Sequence, residues 1–71
     1  MTSEVATRRY RLVRNIPMER FALGHTSEFA PRFDVEQIDA WHMPVMIIAT
    51  GVTAMDARAL IAREGGVEVQ R

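Results

Sequence analysis

The stretch VMIIATGVTAMDARALIAREGGVEVQ, residues 45–70, decides how this chain is read. Val45 to Thr50 is a nearly continuous apolar run between Pro44 and Gly51, the pattern of a central strand covered on both faces. Thr53 is placed to cap a helix, and Asp56 follows three residues on, where its charge suits the helix N-terminus. Ala57, Leu60, Ile61 and Glu64 fall on one side of that helix, whose small residues let it sit close to a sheet. Gly65-Gly66 is a left-handed helix stop. Val67 to Gln70 then alternates as a short last strand, with Val67 and Val69 inward. The short loops of this strand–helix–strand unit predict a right-handed crossover between parallel strands.

Upstream, Asp34 is a suitable N-cap, Gln37 completes a capping box, and Phe33 and Ile38 take the two positions of a hydrophobic staple. These signals predict a helix from Val35 to about Met43, ending before Pro44, with Val35, Ile38 and His42 or Trp41 on its inner side. Between Met18 and Phe33 a hairpin or irregular loop fits better than a helix, because Gly24-His25 signals a turn and Pro31 opposes helix. Arg8 to Ile16 reads as a strand with Tyr10, Leu12 and Ile16 on one face and Arg9, Arg11, Val13 and Asn15 on the other. Pro17 stops or bends it. Met1 to Thr7 is a polar lead-in. The expected architecture is one small α+β domain over residues 1–71, a three- to four-stranded sheet with two helices on one face.

Composition bounds the function. The chain has 71 residues and no cysteine. That removes disulfides, Cys-ligated zinc and thiolate nucleophiles. Nine basic residues balance nine acidic ones, and the pI near 6.7 lies well below the ~9 of a generally basic nucleic-acid binder. The apolar stretch around Met43 to Ala49 is far shorter than the ~20 residues of a membrane span. No apolar signal core stands near Met1, so the expected location is the cytoplasm or a soluble particle assembled inside the cell.

All nine basic residues are arginines. Up to Arg20 there are five arginines against Glu4 and Glu19; from Phe21 to Ala57, Arg32 stands alone against five acidic residues. Such a bipolar chain pairs its halves internally, or with copies of itself.

Chemical constellations are sparse. His25 and His42 have no metal-motif spacing, and His42 with Asp39 on a helix would lack a third ligand. His25-Thr26-Ser27-Glu28 gathers an imidazole, hydroxyls and a carboxylate, but neighbours in sequence are not a triad, and a polar loop explains them as well. Thr50-Gly51-Val52-Thr53 leads into a helix N-terminus, which attracts anions, yet neither a P-loop nor a dinucleotide fingerprint is present. No cofactor is expected. Arg8, Arg9, Arg11 and Arg14 form a basic strand that suits nucleic acid, or an edge strand kept from aggregating by its charges.

The segment ARALIAREGGVEVQ, residues 57–70, resembles the endings of small accessory modules, such as linker-type domains of light-harvesting assemblies and phage head or neck accessory proteins. The resemblance implies a role in assembly by docking. The leading expectation is therefore a non-enzymatic interaction module that docks onto a protein partner or self-associates, with Arg9, Arg11 and Trp41 as contacts. The alternatives are a dimeric nucleic-acid-binding regulator using the arginine strand, and an oligomeric enzyme or ligand-binding protein around His25 and His42.

Overall fold

The structure, a computed structural model, describes residues 7–24 and 30–69. Six elements follow in order: β1 (Arg9–Arg14), α1 (Ile16–Leu23), β2 (Phe33–Ile38), β3 (Pro44–Val52), α2 (Ala54–Arg63) and β4 (Val67–Glu68). The strands form one mixed sheet in the order β3-β2-β1-β4. β1 and β2 pair antiparallel, as do β2 and β3, whereas β4 pairs parallel to β1. The fold is α+β, with two helices and a four-stranded sheet, as the sequence predicts.

The C-terminal unit forms for the local reasons read from the sequence. Thr53 accepts a hydrogen bond from the Asp56 amide at 3.2 Å and caps α2. At the other end, Gly66 N–H donates to the Ile61 carbonyl and Gly65 N–H to the Ala62 carbonyl, the paired bonds of a Schellman stop. A Cβ on Gly66 would overlap the Tyr10 ring and come within 2.9 Å of the Arg8 carbonyl oxygen, so glycine is required where the chain enters β4. β3 and β4 run parallel but lie at opposite edges of the sheet, so α2 crosses the sheet and packs against all four strands. Tyr10, Val35, Ala57 and Ile61 form the buried cluster, flanked by Leu12, Ile48, Ala49 and Val52.

Four expectations are corrected. First, residues 35–43 are not a helix: β2 occupies Phe33–Ile38 and a tight hairpin follows. The capping oxygen is used elsewhere, because Asp34 Oδ1 accepts from Asn15 Nδ2 at 2.8 Å and from the Gly51 amide at 3.2 Å. Pairing with strands on both sides outweighs a local cap. Second, a helix, α1, stands where a hairpin or loop was expected. Asn15 Oδ1 accepts from the Met18 amide at 3.1 Å, and Pro17 sits in the first turn, where its missing N–H is harmless. Ile16 thus leaves the strand face assigned to it and lies exposed on α1.

Third, β3 is an edge strand, not a central one. It has nine residues against six in β2, and its register shifts at three places. Each shift is a bulge that sets two residues against one. At one of them Gly51, at φ +65°, turns its amide toward Asp34. Fourth, Val67 is half exposed rather than inward, because β4 is a two-residue strand on the other edge.

Candidate functional site

The molecule has two contrasting regions, one polar and one apolar, at opposite ends of β3. The polar region joins the end of β1, the start of α1 and the start of β2. Glu19 is its centre and is buried. Its carboxylate accepts from Arg14 Nε at 2.6 Å and Nη2 at 2.9 Å, and from the Arg32 amide at 3.1 Å. The Arg14 hydrogen bonds hold the Glu19 carboxyl below the usual carboxylate range, against the opposing push of burial, and the Arg32 amide adds to the lowering. Glu19 in turn raises the Arg14 guanidinium. Asn15 and Asp34 extend the network to Gly51, whose carbonyl accepts from Arg32 Nη1 at 3.2 Å. Met18 lies over Gly51 so closely that a Cβ there would come within 2.8 Å of its Cε. These bonds fasten α1 to the sheet. None of them is legible in the sequence, since the partners lie 5 to 19 residues apart.

The apolar region is the β2–β3 hairpin and the first half of β3. Asp39 and Met43 bond across a three-residue loop in which His42 N–H donates to the Asp39 carbonyl. Asp39 Oδ1 also accepts from the Trp41 and Met43 amides, at 2.8 and 3.0 Å. His42, the third residue of this loop, takes the left-handed position at φ 62°, as the last residue of three-residue hairpin loops commonly does. The tip so formed holds Trp41 80% exposed. Met43, Val45, Met46 and Ile47 follow, each more than half exposed. Consecutive residues of a strand point to opposite faces, so this half of β3 is open on both. Its outer edge has no strand beside it among the described residues. No charged residue stands between Asp39 and Asp56.

The three expected contact residues are not brought together. Trp41 is at the hairpin tip. Arg9 is exposed on the rim of a cleft of about 480 Å³ that Thr7, Arg8, Gln37, Ile38 and Asp39 help to line. Arg11 is half-buried and paired with Glu36 across β1 and β2. β1 is not an edge strand: β2 flanks it throughout, and β4 covers Arg9 and Tyr10 on the other side. The arginine strand is largely neutralised from within, by Glu36 on Arg11, Glu19 on Arg14 and Glu64 at 3.8 Å from Arg8. Arg58 pairs likewise with Glu68 at 2.8 Å, which raises its guanidinium. Of these four pairs only Arg11–Glu36 joins the basic N-terminal third to the acidic middle of the chain.

The chemical candidates fare as follows. His42 lies in a turn, not on a helix with Asp39, and among the described residues no three metal-ligating side chains converge. His25, Thr26, Ser27 and Glu28 lie outside the described residues. In the Thr50-Gly51-Val52-Thr53 turn, the anion candidate, the Gly51 amide is taken by Asp34. No helix among the described residues is long and apolar enough to cross a membrane. The chain matches no protein-family model, no curated protein and no solved structure.

Proposed function

We propose that this chain is a non-enzymatic protein–protein interaction module that docks through the β2–β3 hairpin and the outer edge of β3. One observation carries the reading: Trp41, Met43, Val45, Met46 and Ile47 are exposed together along the hairpin tip and an uncharged strand whose outer edge is unpaired among the described residues. Five side chains of this size leave on the order of 500 Å² of apolar surface in water, the upper end of what a monomer usually shows. Exposed strand edges capture other strands through main-chain bonds, while side-chain pockets supply selectivity. Tryptophan and methionine are the residues such contacts enrich. Such a module works in the cytoplasm or in a particle assembled there, as an accessory subunit or binder.

The test compares the chain with its Met46→Glu/Ile47→Arg variant. Complexes, with itself or with proteins of its source cells, are followed by light scattering and by affinity capture. Loss of complex formation by more than about tenfold, with unchanged circular dichroism, is the expected result. A folded variant that forms the same complexes would remove this surface from the interface. The nucleic-acid alternative has less support, because Arg8, Arg11 and Arg14 are engaged by carboxylates.

A further inference from the structure

We infer that the occupant of the β3 edge is a second copy of this chain, with the two β3 strands antiparallel about a two-fold axis near Ile48. The inference rests on the docking reading of β3 and adds the partner and its geometry.

Three observations favour a second copy. The first is charge. A two-fold axis sets each surface against itself, and a charged edge would then meet like charge. From Pro44 to Val52 no residue is charged, so self-pairing meets no repulsion, and a charged partner strand would find nothing to match. The second is the placement of apolar side chains. β3 runs from the hairpin tip, with Trp41 and Met43, to Gly51, against which Met18 of α1 lies. Antiparallel pairing sets the tip of each copy beside the α1 end of the other. There Met18 and Phe21, three residues apart on one side of α1, are exposed and form a second, smaller apolar cluster that meets the first, twice. A parallel arrangement would set tip beside tip and leave both α1 clusters in water.

The third is area. Two hairpin patches expose about 1,000 Å², and with the backbone edge and α1 the surface on offer approaches the ~1,200 Å² at which specific interfaces begin. Ile48 is the middle residue of β3, so an axis there sets the whole strand against itself. The result is one sheet running through both copies.

The absence of native cysteine makes the geometry directly testable. The full chain is first weighed by light scattering, and twice its 8.1 kDa is expected. Single variants Met46→Cys and Thr50→Cys are then oxidised alone and mixed; both positions are exposed. Antiparallel pairing about Ile48 sets position 46 opposite 50, so the mixture cross-links several-fold more than either variant alone. Strong self-linking of each variant would mean parallel pairing and overturn the inference. So would a dimer that links at neither position. A monomer that captures another protein through Met46 and Ile47 would overturn self-pairing and leave the docking reading standing. A monomer that captures nothing would overturn both. Trp41 emission supplies a readout without cysteine: it shifts to the blue in the native chain relative to Met46→Glu/Ile47→Arg, and equal spectra count against the contact with α1.

Discussion

The two ends of β3 are held in opposite ways. At Gly51 the strand is tied by Asp34, Arg32 and, through them, Asn15, Glu19 and Arg14, so that four elements meet in directional bonds. At Pro44 to Ile47 the same strand pairs with β2 on one side and presents apolar side chains to water on its other surfaces. The polar end specifies a single arrangement, because each buried donor or acceptor left unmatched costs about 1–3 kcal/mol. The apolar end specifies little by itself, since water opposes its exposure without directing it anywhere. The contrast ties uniqueness of fold to one end and leaves undirected apolar surface at the other.

The largest expected effect breaks the polar end. Asp34→Ala removes the acceptor shared by Asn15 and the Gly51 amide and should lower stability by about 2–3 kcal/mol in urea titration. A loss no greater than that of an exposed hairpin substitution would erase the distinction between the two ends.

Acid sharpens the same comparison. Glu19 has its carboxyl lowered in the folded chain, so between the folded and unfolded values the unfolded chain binds more protons. Its contribution is complete above the ordinary glutamate range near ~4.3 and is lost as pH falls through the lower folded value. The urea midpoint of the native chain should therefore fall on acidification more steeply than that of Glu19→Gln, which has no charge to lose. Parallel pH profiles would mean that the Arg14–Glu19 pair adds nothing to folding.

A smaller change concerns the turn that carries Trp41. His42 holds φ 62° with a side chain, a conformation that costs L-residues roughly 1–2 kcal/mol and glycine little. His42→Gly should raise stability by about 0.5–1 kcal/mol, with the gain offset in part by the greater freedom of the unfolded glycine chain. A loss of stability would mean that the imidazole is engaged at the tip.

How much of this was legible in the sequence depended on how local each signal was. Thr53 with Asp56, and Gly65 with Gly66, act within one helix turn of themselves, and α2 formed where they placed it. Asn15 and Pro17 are as local, yet the turn signal at Gly24 and the proline at position 31 point to a loop over the same stretch and mask α1. Asp34 and Gln37 gave a sound capping pattern that lost to bonds across 17 and 19 residues. The apolar run from Val45 identified a strand, but periodicity cannot distinguish a strand buried on both faces from one exposed on both. Trp41 is exposed at the hairpin tip, and a tryptophan beside His42, Met43 and Pro44 marks it in the sequence as a candidate contact. Arg11 was not legible as a paired residue, since Glu36 lies 25 positions away.

The smallest expected effect on stability is at the apolar end, and it separates folding from association. Met46→Glu/Ile47→Arg replaces two exposed side chains that belong to no buried cluster. Measured at a dilution where both chains are monomeric, the urea midpoint should move by no more than the equivalent of about 0.5 kcal/mol, as surface substitutions do. The same pair placed in a buried sheet face would unfold so small a domain, because each uncompensated charge costs several kcal/mol there. An unchanged midpoint together with lost association makes the edge a surface for another chain. A collapsed midpoint makes Met46 and Ile47 part of the monomer's own packing, and the two ends of β3 would then be held alike.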